Sequence, residues 1–378
     1  MISGLEQLFQ PLAVGPLTLN NRVVMAPMTR GFAPGGILDT RAASYYRRRA
    51  EGGVGLILTE GIAVNPIGAW KANIPSLFGD AAIAAWAPVV KAVHDAGAKI
   101  IAQLWHAGLG RVRAKAHHAD CDSLGPGSKY AHLPAPTAET GFAEGREMTQ
   151  GDIDSTIKDY AAAALTSKLL GFDGVELHAA HGYLIDEFFW STTNPRRDRY
   201  NGDIRARTRF ACEIIKAIRH SVGQHFALGL RFSQWKLPSL WDAQLVSNAE
   251  ELERFLLPLS GAGLDFFDCS TRRYWEPAFT GSSLNLAGWS KKITAKPCMT
   301  VGSIGLEGPI FEGGNRGTAT ASGTGSLNNA LAMLQRDEVD LVGVGRALLA
   351  NPDWVEKLRS GREVELRPYS ADVLATLE

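Results

Sequence analysis

Short apolar runs alternate with longer amphipathic stretches along most of the chain. Eight of the short runs are almost continuously hydrophobic, a pattern typical of β-strands that are buried on both faces. The predicted strands are Arg22–Ala26, Val54–Thr59, Lys99–Leu104, Gly174–His178, Phe226–Phe232, Asp265–Cys269, Cys298–Gly302 and Asp340–Gly345.

Helical patterns fill most of the gaps between these strands. Thr149, with Asp152 three residues later, forms the sequence of a capping box at the start of the second predicted helix. Gly97 and Gly171 follow the first two helices and are typical helix stops. The predicted helices are Ala81–Ala96, Asp152–Leu170, Arg205–Ser221, Asn248–Ser260 and Ser326–Arg336.

Eight strand–helix units in 378 residues predict an α/β protein with a single (β/α)8 TIM barrel over residues 1–378. A doubly wound open sheet is the alternative, but no Gly-x-Gly-x-x-Gly follows the first strand. The connection 106–148 after the third strand is long enough to predict a lid or small subdomain. Extra loops follow the sixth strand (271–289) and the seventh, where 313–325 is a Gly/Thr/Ser-rich surface insert.

The charge balance excludes some classes of partner. The chain has 39 basic and 39 acidic residues without a long basic run, so neither nucleic acid nor an anionic membrane is expected to bind. The cluster Arg47–Arg49 predicts a solvated helix face. No apolar run reaches transmembrane length, and the first residues lack the pattern of a signal peptide, which indicates a cytoplasmic protein.

Residues that often bind metals lack a metal-binding pattern in this chain, and no metal is expected. The cysteines have no zinc or iron–sulfur spacing, and Cys212, Cys269 and Cys298 lie in apolar runs that predict burial. The fourth is Cys121. Three histidines of the 106–148 connection are predicted to be polar loop residues; they are His106, His117 and His118.

Polar residues recur where the predicted strands end, and the fourth strand carries the most distinctive set. His178, His181 and Tyr183 follow one another at this point. Two imidazoles can hold one oxygen atom while a phenol delivers a proton nearby, provided that another group supplies a hydride. The alternatives are structural histidines, a metal-binding pair without a third ligand, and a tyrosine that only packs.

Three further strand ends carry residues with a specific chemical requirement or binding capacity. Arg231 lies inside the apolar fifth strand and therefore needs an anionic or strongly polar partner. Val301–Gly305 (VGSIG) and Gly345-Arg346 follow the seventh and eighth strands. Backbone N–H groups and a guanidinium at these two loops are the composition of a barrel phosphate site.

Five motifs together resemble the Old Yellow Enzyme family of FMN-dependent ene-reductases, over nearly the whole chain from Leu8 to Trp354. They are Asn21–Arg30 (NRVVMAPMTR), Gln103–Gly108 (QLWHAG), His178–Tyr183 (HAAHGY), Asn194–Gly202 (NPRRDRYNG) and Val344–Arg346 (VGR). The resemblance implies a TIM barrel, non-covalent FMN, NADPH or NADH as reductant, and an activated alkene as the small-molecule substrate.

The resemblance also implies roles for individual residues. The flavin ring would be lined by Ala26, Pro27, Met28 and Thr29, and its pyrimidine edge would contact Gly61, Gln103 and Arg231. The phosphate would bind Gly302, Ser303, Gly345 and Arg346. His178 and His181 would bind the substrate carbonyl, Tyr183 would protonate the α-carbon, and Trp105 and Trp275 would contact the substrate, although a loop-anchor role is the alternative for Trp275.

The resemblance leaves several functional details open. NAD(P)H and the alkene would bind in turn over one flavin face, which predicts ping-pong kinetics, while nitrate esters, quinones and amines are alternative substrates. Thr29 and Trp105 are typical of one branch of the family and the His-Ala-Ala-His form of another, so the flavin potential cannot be inherited from either. The tail Arg367–Glu378 lacks the Arg-Gly-Trp ending of some relatives, and both a monomer and a homodimer are compatible.

Overall fold

The computed structural model describes residues 2–130, 145–237, 242–306 and 325–378. Strands and helices alternate through these ranges. The strands are β1 (Leu12–Val14), β2 (Leu17–Leu19), β3 (Val23–Met25), β4 (Leu56–Ala63), β5 (Lys99–Trp105), β6 (Leu124–Gly125), β7 (Arg146–Glu147), β8 (Gly174–His178), β9 (Ala227–Ser233), β10 (Phe266–Ser270), β11 (Cys298–Val301) and β12 (Leu341–Val344).

Eight parallel strands close into a barrel, in the order β10-β11-β12-β3-β4-β5-β8-β9. They correspond one to one to the eight predicted strands, so the predicted (β/α)8 barrel is confirmed. Strands β1 and β2 form an antiparallel hairpin. Its residues Val14 and Leu17 pack in one apolar cluster with Phe266 and Leu341 at the starts of β10 and β12, which closes the amino-terminal end of the barrel. The opposite end is therefore the one left to build a site.

The helices lie outside the strands, as a barrel requires. They are α1 (Ala42–Glu51), α2 (Asp80–Ala84), α3 (Ala87–Asp95), α4 (Gln150–Leu169), α5 (Leu184–Phe189), α6 (Ile204–Arg207), α7 (Arg209–Val222), α8 (Ala249–Gly263), α9 (Leu286–Thr294), α10 (Gly325–Gln335), α11 (Arg346–Ala350) and α12 (Trp354–Arg359). No helix within the described ranges is long and apolar enough to cross a membrane.

The structure refines the predicted helices. The predicted capping box is confirmed, because Asp152 N–H donates to Thr149 Oγ1 (3.2 Å) and Thr149 N–H donates to Asp152 Oδ2 (2.8 Å). The predicted helix Ala81–Ala96 is two helices, α2 and α3, that meet at the fully buried Trp86. Proline in the first turn of α3 suits a new helix start.

The prediction that Arg47–Arg49 form a solvated face is wrong for Arg49. Arg47 is exposed, whereas Arg49 is fully buried. Its guanidinium donates to the backbone oxygens of Tyr45 (2.8 Å) and Glu378 (2.6 Å) and lies 3.9 Å from the centre of the Tyr45 ring. These contacts take the place of hydrogen bonds to water, so a charged residue in a basic run can be buried.

His106 lies in the loop after β5, as predicted, but it is buried rather than exposed to solvent. It is fully buried directly after β5, and Gly108 N–H donates to its Nδ1 at 3.1 Å. Burial, with a smaller contribution from the Arg111 charge, lowers the pKa of His106 to about 3. The ring is therefore neutral and belongs to the wall between the barrel and the connection that follows β5.

The predicted insertions are described only in part. Of the 106–148 connection, residues 106–130 and 145–148 are described, and β6 pairs with β7 there. The 313–325 insert lies outside the described residues apart from the start of α10. Cys269 and Cys298 are buried, as predicted, and Cys212 is half-buried.

Candidate active site

The carboxyl ends of the barrel strands open into a cavity of about 430 Å³, a size typical of small-molecule sites. Most of the predicted site residues line it, although they come from six different strand ends. These residues are Ala26, Pro27, Met28, Thr29, Gln103, Trp105, His178, His181, Tyr183, Arg231, Gly302, Ser303, Gly345 and Arg346. Gly61 and Trp275 are not among the residues that line it.

One wall of the cavity is the segment from Ala26 to Thr29 that follows β3. Glu60 fixes the end of this segment, because its Oε2 accepts the backbone N–H groups of Arg30 (2.9 Å) and Gly31 (3.2 Å). Burial raises the pKa of Glu60 to about 7. A short apolar wall held by backbone hydrogen bonds suits the flat face of an aromatic ring.

Gly61 and Trp105 lie on neighbouring strands next to this wall. A Cβ atom on Gly61 would lie 2.5 Å from Cε3 of Trp105, so the glycine makes room for the indole. Trp105 is almost completely buried and faces the cavity. Trp275 instead packs its ring edge-on to Tyr274, at 5.3 Å between ring centres, which agrees with the anchor role considered for it.

The loops after β11 and β12 form the glycine-rich end of the cavity. Gly302 has φ 140°, and a Cβ there would lie 2.5 Å from the backbone oxygen of Thr271. Ser303 Oγ donates to the backbone oxygen of Arg272 (3.0 Å) and accepts from Nη2 of Arg346 (3.2 Å). Such a cradle, in which only glycine fits and a guanidinium lies alongside, suits a phosphate group.

His178, His181 and Tyr183 form the opposite corner of the cavity. His178 ends β8, His181 has a left-handed φ of 64°, and Tyr183 caps α5. The ring of His178 lies 5.1 Å from that of His181 and 5.0 Å from that of Tyr183, between centres. Tyr183 also meets Trp105 edge-on at 4.8 Å. The structure thus brings the three predicted side chains together.

Both imidazoles are neutral at neutral pH. Burial and the Arg231 charge hold the pKa of His178 well below its usual range. Burial also lowers the pKa of His181, with smaller contributions from His178, Arg231 and Lys236. A neutral imidazole can still donate one N–H to an oxygen atom.

The two histidines differ in what already contacts them. His181 Nε2 lies 2.8 Å from Ser270 Oγ, and Trp235 stacks on the ring with 4.3 Å between centres. His178 Nδ1, by contrast, is buried without a hydrogen-bond partner in the described part of the chain. The other ring nitrogen of His178, Nε2, is the one left for an incoming oxygen atom, whereas Nε2 of His181 already contacts Ser270.

Several residues that line the cavity were not predicted from the sequence. Trp235 and Leu237 come from the loop after β9, and Trp70 comes from the loop after β4. Tyr369 and Leu374 reach the cavity from the last dozen residues, and the Arg346 guanidinium lies 5.7 Å from the centre of the Tyr369 ring. Polar residues surround Trp235 at the end of a strand, which is the pattern that identified the other site residues. No comparable pattern in the neighbouring sequence identifies Tyr369 as a cavity residue.

Two buried ionic groups lie beside the cavity. Arg231 Nη1 donates to Asp268 Oδ2 at 2.6 Å, which confirms the prediction that Arg231 needs an anionic partner. Lys236 Nζ donates to Asp186 Oδ1 at 2.6 Å, and both side chains are fully buried. Within the described ranges, no three His, Cys, Asp or Glu side chains converge in a way that could hold a metal ion.

Comparisons with known proteins agree with this arrangement. A model of the NADH:flavin oxidoreductase / NADH oxidase family matches residues 7–365. An NADH oxidase of Thermoanaerobacter brockii is 33% identical over 95% of this chain, which spans 52% of that protein, about half its length. The structure of an Old Yellow Enzyme homologue from Zymomonas mobilis has a TM-score of 0.79 at 26% identity, covering 98% of this chain and 96% of that one. Morphinone reductase in complex with tetrahydroNAD gives a TM-score of 0.78 at 26% identity, covering 97% and 93%. The chain therefore belongs to the NADH:flavin oxidoreductase / NADH oxidase family, the family of Old Yellow Enzyme, whose cofactor is FMN.

Proposed function

We propose that the chain is an FMN-dependent oxidoreductase that uses NAD(P)H to reduce the activated C=C bond of an α,β-unsaturated carbonyl or nitro compound. The observation that carries this proposal is the position of His178, His181 and Tyr183 in the same cavity as the glycine-rich cradle at Gly302. Side chains of the types that bind a carbonyl group and donate a proton thus line the same cavity as a glycine-rich loop that suits a phosphate group.

The residues of the cavity fit FMN. The phosphate would be held by Gly302, Ser303 and Arg346, the ring face by the segment 26–29, and the pyrimidine edge by Gln103 and Arg231. Arg231 is only 7% exposed, so its charge acts with little screening by solvent. Bound FMN supplies a hydride that originates from NAD(P)H.

The neutral histidines would bind the oxygen atom of the substrate. Negative charge develops on this oxygen when the double bond accepts a hydride, and N–H donors placed there beforehand stabilise that charge. His178 is the stronger candidate donor, because its ring lines the cavity and, unlike that of His181, makes no hydrogen bond to another residue in the described part of the chain. The hydrogen bond of His181 to Ser270 and its stacking on Trp235 fix the second ring in place.

Tyr183 would supply the proton that the substrate carbon requires. Its side chain is 7% exposed and lies edge-on to Trp105 and His178, which limits its movement and keeps water away. A positioned phenol of this kind can act as a general acid. We propose that NAD(P)H and the alkene use the same cavity in turn, which gives ping-pong kinetics.

The proposal is tested with purified protein supplied with FMN. The expected results are release of FMN on denaturation, anaerobic bleaching of the flavin by NADPH or NADH, and conversion of 2-cyclohexenone to cyclohexanone in stoichiometric amounts. Protein that cannot bind FMN would contradict the proposal. Reoxidation by a quinone or a nitrate ester, while the enone stays unreacted, would support the alternative substrate classes instead.

A further inference from the structure

Four polar side chains form a buried layer directly beneath the cavity, which we call the floor cluster. They come from β5, β8, β9 and β10, which are neighbours in the barrel. The strand register pairs Gln103 with Glu176 and Arg231 with Asp268. Glu176 and Asp268 are fully buried, whereas Gln103 and Arg231 reach the cavity surface.

Hydrogen bonds hold each half of the floor cluster. Gln103 Nε2 donates to Glu176 Oε1 at 2.8 Å. Arg231 Nη1 donates to Asp268 Oδ2 at 2.6 Å, and its Nη2 donates to Ser270 Oγ at 3.2 Å. Each cavity residue is thus fixed by one buried carboxyl group behind it.

The remaining carboxyl oxygens leave the floor cluster unbalanced. Glu176 Oε2 and Asp268 Oδ1 are both buried, and no N–H or O–H group in the described part of the chain donates to either. Glu176 on β8 and Asp268 on β10 lie on the two strands that flank β9, and the two carboxyl groups are close enough to act on the pKa of each other. Two ionised carboxylates against one guanidinium would give a net negative charge in a fully buried position, which is strongly unfavourable.

We propose that Glu176 and Asp268 share one proton, and that Glu176 is a positioning residue that keeps the floor cluster neutral and holds Gln103 and Arg231 towards the cofactor. One proton satisfies both unpaired oxygens at once and leaves a single carboxylate for Arg231. The consequence for the cofactor rests on the proposed function, whereas the shared proton does not.

The electrostatic surroundings favour this protonation. Burial, followed by the Asp268 charge, raises the pKa of Glu176 well above its usual range. Burial also raises the pKa of Asp268, while Arg231 opposes that shift. The groups that act on the pair are Arg231 on β9, the uncharged Gln103 on β5 and the two carboxyls themselves. The proton therefore belongs to the pair, since one acid cannot ionise without affecting the other.

The shared proton can be measured without any cofactor. Infrared spectra of the apoprotein at neutral pH are recorded for the wild type and Glu176→Gln, with circular dichroism as a check on folding. The wild-type-minus-variant difference is expected to show one protonated carboxylic acid C=O band. Asp268→Asn should remove the same band, because Glu176 then ionises beside Arg231. A difference that shows only carboxylate bands for both variants would overturn the proposal.

The effect on the cofactor is measured as the pH dependence of the FMN midpoint potential. Above the pKa of the pair, the wild type gains a negative charge beneath the cavity, so its potential should fall below that of Glu176→Gln. Below that pKa the two potentials should coincide. Identical curves over the whole pH range would overturn the positioning role. Failure of the wild type to bind FMN would refute the proposed function and leave the infrared result standing. Loss of FMN binding by Glu176→Gln alone would support the positioning role.

Discussion

Two buried ionic groups beside the same cavity differ in their charge balance. The floor cluster sets two carboxyl groups against Arg231, whereas the second group, which we call the loop anchor, pairs Asp186 with Lys236 one to one. The ion-pair distance is 2.6 Å in both, and in both the carboxylate is fully buried. Distance and burial alone therefore do not distinguish their roles. The number of charged groups distinguishes the two roles, because only the floor cluster has more acidic than basic groups and requires an additional proton.

The two side chains of the loop anchor make hydrogen bonds to backbone groups and do not share a proton. Asp186 Oδ2 accepts Gly182 N–H at 2.6 Å, between His181 and Tyr183. Lys236 Nζ donates to the backbone oxygen of Ser233 at 3.0 Å. The pair thus ties the start of α5 to the loop after β9, whose Trp235 stacks on His181. Its net charge is zero, and no further group is needed to balance it.

The largest expected effect comes from breaking the loop anchor. Lys236→Met should lower the free energy of unfolding by about 3–5 kcal/mol, because Asp186 stays buried without its partner. Urea denaturation followed by fluorescence measures this change. The double variant Asp186→Asn/Lys236→Met is the matched control, and it should recover most of the loss. A single variant as stable as the wild type would show that the pair does not hold the loop.

The second largest effect is expected in the pH dependence of stability, which should differ between the floor cluster and the loop anchor. The pKa of Glu176 is raised in the folded state. Protonated Glu176 therefore stabilises the folded state fully at pH values below the pKa of about 4.3 that glutamate has in the unfolded chain. This stabilisation is lost as the pH rises through the pKa of the folded state. The stability of the wild type relative to Glu176→Gln should fall with pH, by at most about 1.4 kcal/mol per pH unit. Urea titrations at a series of pH values test this; a difference that rises with pH would contradict the shared proton.

The smallest expected effect is that of Glu176→Gln in mildly acidic solution. An amide there replaces a carboxyl group that is already protonated, so the free energy of unfolding should change by less than about 1 kcal/mol. Thermal or urea unfolding at a pH just above the unfolded pKa of glutamate measures it. A loss as large as that of Lys236→Met would mean that Glu176 is ionised and paired, as Asp186 is.

The sequence predicted the cavity better than the groups beneath it. Strand-end residues such as Arg231 and Gly302 were identified, because the carboxyl ends of parallel strands meet at one end of a barrel. Arg231 was also predicted to need a polar partner. Asp268 was not identified as that partner, because its place inside the barrel depends on the register of β9 with β10. Asp186 and Lys236 are 50 residues apart, and no local pattern connects them.

The wrong predictions have a common physical cause. The basic run at 47–49 predicts an exposed position for Arg49, and a place in a long connection predicts a polar loop position for His106. The structure buries both and gives each backbone hydrogen bonds, from Arg49 to the oxygens of Tyr45 and Glu378 and from the N–H of Gly108 to His106. Tertiary contacts of this kind are formed by segments far apart in sequence, so composition cannot reveal them.

Proton donation by Tyr183 is the central step of the proposed reaction. Rapid mixing of FMN-loaded protein tests it most directly, because it measures flavin reduction and enone reduction separately. Tyr183→Phe keeps the ring that packs against Trp105 and His178 and removes only the hydroxyl group. The rate of enone reduction by the prereduced variant should fall by about 100-fold or more, while flavin reduction by NAD(P)H stays as in the wild type. An unchanged enone step, or equal slowing of both half-reactions, would contradict the assignment.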